Sequence, residues 1–347
     1  MTKARTNASA SPAVGRNMVI NGAMNVAQRS ASVTGIGASA GYFTCDRWRL
    51  NMGSTAGRLT MTQTADGPDG ISANCIKLDC TTADTSIAAN EYLILEQRFE
   101  GQNLQRMGKG LAGSKQVTVS FYVKANAAFT FGVELYDADH NRQITKLYAT
   151  TTDWVRHELT FPADVDGGDQ PLDDDNALSL LIDFWLHGGS NYTSGTLNSE
   201  SWANITAANF AAGIDSFFSS TDNNFFITGV QMEVGPVATE FEQEDISTTL
   251  QKCQRYFETG KAGATGNHPT ADSGFFGGVV HYKVDKRAAA TLAQSGQSYR
   301  ELENDTIYLG SVGQQYALNV VNGFAHDAIH DGANCKYIFT YTADAEL

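Results

Sequence analysis

The run Val117-Thr-Val-Ser-Phe-Tyr-Val-Lys124 sets apolar Val117, Val119, Phe121 and Val123 against Thr118, Ser120, Tyr122 and Lys124 in strict alternation. Successive side chains of an extended chain point to opposite faces, so this run is a strand with one buried face. The same period recurs on the C-terminal side. Phe131, Val133 and Leu135 form the next run, closed by a turn at 137–141, and Val155, Leu159 and Phe161 form another. Leu178, Leu180, Ile182, Phe184 and Leu186 make one face of a further strand and leave Asp183 and Trp185 on the other. Val230, Met232 and Val234 turn inward while Gln231 and Glu233 turn out. Towards the N-terminus, 18–22 and 42–50 have strand character on either side of a Gly/Ser/Ala loop at 31–41. Strands at this spacing, with no helical pattern between them, predict an all-β antiparallel sandwich.

One helix is expected. Asp245 or Ser247 can cap it, and Leu250, Cys253 and Phe257 share a stripe at helical spacing up to Gly260. More strands follow at 277–284, 306–309, 316–321 and 336–342, after a flexible stretch at 263–274. The expected organisation is an arm at 1–16, a large β domain at 17–245, a helical connector at 246–262 and a smaller β-sandwich domain at 263–347. A chain of 347 residues is long enough for two cores.

Composition narrows the function classes. With 33 Gly and 6 Pro the chain suits short strands joined by tight turns. A net charge of −14 argues against nucleic acid as a partner, because phosphate contacts need clustered Lys and Arg. It equally disfavours an anionic membrane surface, and no stretch approaches the roughly 20 apolar residues of a membrane span. The first residues lack the apolar core of a signal peptide, so the protein is expected to fold where it is made. Five cysteines without a CxxC pair point to free, mostly buried thiols, although Cys75 and Cys80 were they to face each other across a tight hairpin would be a pair.

Two stretches read together as motifs rather than as isolated strands. The first is Asn17-Met-Val-Ile-Asn-Gly-Ala-Met-Asn-Val-Ala-Gln-Arg29 followed by Tyr42-Phe-Thr-Cys-Asp-Arg-Trp-Arg49. The second is Ile227-Thr-Gly-Val-Gln-Met-Glu-Val-Gly-Pro-Val-Ala-Thr-Glu-Phe-Glu242 followed by Leu250-Gln-Lys-Cys-Gln-Arg-Tyr-Phe257. Thr118–Lys124 matches a third motif and the terminal Ala343–Leu347 a weaker fourth. In this order they resemble a set of bacteriophage tail-fibre or appendage virion proteins with a carbohydrate-binding-module-like domain. The resemblance implies a jelly-roll sandwich, used in homotrimeric fibres, spikes or head appendages, assembled in the host cytoplasm and located in the virion. The arm would then join the chain to other virion proteins, and a host surface glycan is the expected ligand. An architectural role as a capsid decoration or head-fibre protein is the alternative, and a glycan depolymerase the third. The motif residues themselves read as scaffold: Asp46, Arg47 and Trp48 suit a buried ion pair beneath an aromatic ring, and Gly229 and Gly235 suit bulge or turn positions.

No catalytic residue is nominated, and the chain reads as a non-enzyme: there is no G-x-S-x-G, HExxH or P-loop pattern. His326 and His330 sit in what reads as a loop, which argues against a metal pair. Sugar binding needs aromatic planes beside amide and carboxylate groups. Asp183 and Trp185, with Asn191 and Tyr192 in the following loop and then Trp202, are the candidate ligand-binding residues. No cofactor is expected. The acidic loop carrying Asp164, Asp166, Asp169 and Asp173, Asp174, Asp175 offers hard oxygen ligands, and the last three are the calcium candidates.

Overall fold

A computed structural model describes residues 15–37, 39–165, 170–266, 274–301, 306–308, 320–330 and 335–347. The chain divides into two compact units, 1–245 and 246–347.

The first unit is an antiparallel jelly-roll sandwich. One sheet runs, in order across it, β1 (Ser32–Ile36), β4 (Arg58–Thr64), β5 (Cys75–Thr82), β13 (Asn224–Val234), β7 (Val117–Ala125) and β10 (Val155–Phe161). The other runs β12 (Ala203–Asn204), β9 (Arg142–Ala149), β8 (Thr130–Asp137), β11 (Leu178–Gly188), β6 (Tyr92–Glu100), β3 (Arg49–Gly53) and β2 (Gly41–Tyr42). Their inward residues share one core: Val119, Phe121 and Val123 from β7 meet Leu180, Ile182 and Phe184 from β11, with Phe121 and Phe184 edge to face at 5.1 Å. This is the alternation of the sequence converted into two facing surfaces.

Several expected elements change. The expected strand at 18–22 is a turn, with Asn21 in the left-handed region at φ 57°. It still lies along β13, bonded from Met18 N to Met232 O at 2.9 Å and from Val230 N to Gly22 O at 3.0 Å. A Cβ on Gly22 would stand 2.1 Å from Val230 O, so only glycine allows that approach. The loop expected at 31–41 contains β1, and Cys75 and Cys80 lie on one strand, β5, rather than across a hairpin. Five residues of strand separate them by roughly 16 Å, beyond the reach of a disulfide. Gly229, at φ 61°, marks a register break between Thr228 and Gln231 in the β13–β7 pairing, as a bulge requires.

The quoted motifs tie the ends of the sandwich together. Asn17 Oδ1 accepts from Val19 N and Met232 N, each at 3.0 Å, and its Nδ2 donates to Val230 O at 3.1 Å. The Trp48 indole is fully buried and donates to Asn21 O at 3.1 Å. Asp46 accepts from Gln28 N at 2.9 Å and has the Arg29 guanidinium 3.9 Å away. Glu242 then clasps the entering chain: its two carboxylate oxygens accept from Gly15 N at 2.5 Å and Asn17 N at 2.8 Å. Gln231 and Glu233 face outward from β13 yet are buried, because Thr239 donates to Glu233 and Glu242 N donates to Gln231.

In the second unit the helix α2 covers Ile246–Gln254, stopping short of Phe257, which instead begins β14 (Phe257–Gly266). A four-stranded sheet runs β14, β19 (Cys335–Asp344), β16 (Thr291–Glu301) and β17 (Thr306–Tyr308), and β15 (Gly274–His281) pairs with β18 (Gly323–His330). His326 and His330 therefore lie on a strand, not in a loop. The expected strand at 316–321 falls mostly outside the described residues. The core gathers Phe324, Phe339 and Tyr341. Beneath it, Glu258 takes the Lys286 ammonium at 2.7 Å and the Tyr341 hydroxyl at 2.7 Å, all three buried.

Candidate functional site

The outer face of the seven-stranded sheet, opposite the core, carries a cleft of about 420 Å³. Its floor follows from strand register. Arg49, Glu96, Asp183 and Glu134 stand side by side across β3, β6, β11 and β8. In the next row Asn51, Ile94 and Trp185 are neighbours, and in the opposite direction Arg98, Leu181 and Tyr136. Residues two apart on a strand share a face, which places all of these groups on one surface.

The walls come from the excursion that follows β11. It begins with the short helix α1 (Ser190–Thr193) and returns through 207–214, bringing Tyr192 and Phe210 over Trp185 at ring distances of 5.4 and 6.0 Å. Tyr92 meets Tyr192 edge to face at 5.6 Å, and Tyr136 meets Phe210 at 6.4 Å. Trp185 itself is only 3% exposed, so it underlies the cleft and the half-buried Tyr92, Tyr136, Tyr192 and Phe210 present their rings to solvent.

The three carboxylates of the floor differ in their partners. Glu96 is saturated: Arg49 Nη1 lies at 2.6 Å, Arg98 Nε at 2.7 Å and Asn51 Nδ2 at 3.0 Å. Glu134 receives the Trp185 indole N–H at 2.6 Å on one oxygen, while its Oε1 has no hydrogen-bond partner among the described residues. Asp183 Oδ1 has none either. Burial pushes the Glu134 carboxyl up to about 8, against the opposing bond from Trp185. Burial also raises Asp183 well above the ordinary carboxylate range, reinforced by the charges of Glu96 and Glu134 and opposed by Arg98 and Arg49.

Stability follows from these directions. Glu134 protonates more readily folded than unfolded, so its contribution is complete below the ordinary glutamate value of 4.5 and is lost as pH rises towards about 8. Denaturant unfolding across that window should therefore show falling stability in the wild type and a shallower fall in Glu134→Gln. An equal slope in the two proteins would remove Glu134 as the cause.

Of the residues nominated from sequence, Asp183, Trp185 and Tyr192 line this one cleft. Asn191 is exposed beside it, not among the lining residues, and uses its backbone N–H on Ala89 O at 2.9 Å. Trp202 is apart from the cleft. It is 6% exposed, donates to Pro162 O at 2.9 Å and lies under the Lys109 ammonium at 4.5 Å. Glu96, Arg98, Glu134, Tyr92, Tyr136 and Phe210 were not singled out from sequence. The signal existed in Tyr92-Leu-Ile-Leu-Glu-Gln-Arg-Phe-Glu100, where Glu96 and Arg98 interrupt an apolar run at period two.

The calcium candidates do not converge. Asp173, Asp174 and Asp175 are exposed, and Asp166 and Asp169 lie outside the described residues. Among the described residues the acidic group whose ligand atoms do converge is Asp137, Asp139 and His140, within 4.8 Å of one another. An ammonium already serves there: Lys109 Nζ bonds Asp137 and lies 2.9 Å from Asp164. Arg142 completes the network, bidentate on Asp164 at 2.7 and 2.8 Å. Burial raises the Asp164 carboxyl, but the bonds from Arg142 and Lys109 outweigh it and hold it below its ordinary value.

These features define the class: an antiparallel β-sandwich with a tyrosine- and carboxylate-lined cleft on one outer face. Similar solved structures include a CBM4 domain (12% identity, TM-score 0.31, 62% of this chain and 98% of that one). A family 61 carbohydrate-binding module in complex with β-1,4-galactotriose is similar at 11% identity and a TM-score of 0.31, over 64% of this chain and 100% of that one. So is the family 11 module of a Clostridium thermocellum cellulosomal cellulase, at 13% identity and a TM-score of 0.28, over 58% of this chain and 97% of that one. Likenesses at these scores carry nothing over to this chain. No protein-family model and no curated protein matches it.

Proposed function

We propose that this chain is a non-enzymatic glycan-binding protein that holds its ligand in the cleft above β6, β11 and β8. The observation that carries this reading is the combination on one surface of half-buried Tyr92, Tyr136 and Tyr192 with the polar groups of Asn51, Arg98 and Asp183. Aromatic faces pack on the apolar face of a pyranose, and fixed polar groups select its hydroxyls. The setting we propose, a homotrimeric bacteriophage tail fibre or appendage with residues 1–16 as its anchor, is supported by the ordered sequence motifs. The open edges at β1 and β10 and at β12 and β2 suit coverage by other chains.

Calorimetric titration with oligosaccharides from candidate host surfaces tests the binding. Tyr192→Ala, outside the core between the two sheets, should weaken the affinity about ten-fold, the size of a lost aromatic contact with its buried area. Unchanged affinity in Tyr192→Ala would move the ligand elsewhere. Absence of binding across a broad glycan panel would favour the architectural reading, which the structural employment of Asn17, Asn21 and Trp48 also suits.

A further inference from the structure

Resting on the glycan-binding reading, we infer that the cleft selects a glycan bearing a free amino group, seated as its ammonium on Asp183 and Glu134. The first argument is the imbalance of partners on the cleft floor. Both guanidiniums beside the carboxylate row, Arg49 and Arg98, bond Glu96, which also takes Asn51. Asp183 and Glu134, adjacent in register on β11 and β8, are 6% and 2% exposed. Each keeps one buried oxygen, Oδ1 of Asp183 and Oε1 of Glu134, without a hydrogen-bond donor among the described residues. Buried polar atoms are nearly always paired, and an orphan acceptor in a cleft is a vacancy for a donor.

The second argument is the chemistry that surrounds the pair. A hydroxyl supplies one donor, whereas an ammonium supplies three and brings the positive charge that two neighbouring acids lack. The rings of Tyr92, Tyr136, Tyr192 and Phe210 border the same floor, so a cation held there also faces aromatic rings. A quaternary ammonium would satisfy the rings but leave both oxygens orphaned. A pyranose with a primary amine satisfies both requirements, stacking its carbon face while its nitrogen reaches the acids.

A consequence distinguishes this ligand from a neutral sugar. Burial holds the Glu134 and Asp183 carboxyls above the ordinary carboxylate range, Glu134 at about 8, so both bind protons more readily than free acids do. An arriving ammonium stabilises their ionised forms, so complex formation releases protons to solvent, whereas a neutral sugar leaves them in place.

The test compares glucosamine oligomers with the same oligomers N-acetylated, titrated calorimetrically in mildly acidic buffers of different ionisation heat. The free-amine form should bind about ten-fold tighter or better, as charge-assisted bonds imply, with proton release visible in the buffer dependence. Asp183→Asn and Glu134→Gln together should abolish the preference, bringing the two forms to the same affinity in the double variant. Equal affinity for both forms, with Tyr192→Ala weakening both, overturns the amine selection and leaves the glycan reading standing. A preference that persists in the double variant overturns it too. Binding of neither form nor of any neutral oligosaccharide overturns the glycan reading itself.

Discussion

Lys109→Met should cost the first unit about 3–5 kcal/mol of stability, the loss expected when one partner of a buried ion pair is removed. Lys109 is 4% exposed, and its ammonium lies between Asp137 and Asp164, themselves nearly fully buried. Arg142 on Asp164 balances one of the two negative charges. Without Lys109 the other keeps, among the described residues, His140 at 3.2 Å and the backbone N–H groups of Asp139 and His140, which leaves a buried carboxylate short of its cation. Methionine keeps most of the volume over the Trp202 ring, which isolates the charge from the packing. The urea midpoint reports the loss, and Asp137→Asn in the same chain should recover much of it. A shift below about 1 kcal/mol would mean the network is effectively solvated, with the exposed-pair value applying instead.

Trp48→Ala is the second large effect, at about 3–5 kcal/mol. The indole is fully buried, packs against Phe184 at 6.2 Å and holds Asn21 O at 3.1 Å. Truncation opens a cavity between the sheets and frees the turn at 19–23 whose Asn21 carries Val26 and Asp46. Trp48→Phe should recover part of the core contact and none of the hydrogen bond. Thermal unfolding of the three proteins separates the terms. Equal melting of Trp48→Phe and wild type would show that the bond to Asn21 contributes nothing.

The strands that alternate were legible because apolar side chains turned to the core write a period of two, even on β7 and β11, whose other face is largely covered as well. β7, β8, β10, β11 and the second half of β13 are all visible that way. β6 is buried on both faces over much of its length and loses the alternation: Leu93, Ile94 and Leu95 are all covered, with Glu96 and Gln97 beside them. The turn at 18–22 misleads for the opposite reason. Met18 and Val19 are apolar because they plug the core, and the chain there is held by Asn17 rather than by a ladder. Half of the cleft was readable, since Asp183 and Trp185 are polar or amphipathic on a strand whose other face is wholly apolar. The acids paired with them across β6 and β8 depend on register, which single-strand periodicity does not encode. Trp202 shows the same limit: its aromatic character is evident from sequence, its position beneath an ammonium is not.

The clasp at Glu242 has a mechanical meaning. One carboxylate joins the chain where it enters the sandwich, at Gly15 and Asn17, to the chain where it leaves, and Arg16 adds a bond to Glu240 O at 2.7 Å. Tension between the segments flanking the sandwich would run through this handful of bonds and bypass both sheets. The thirteen-stranded body hangs beside the line of force as a side-loaded cassette, so its cleft keeps its shape under a pull that stops short of parting the clasp.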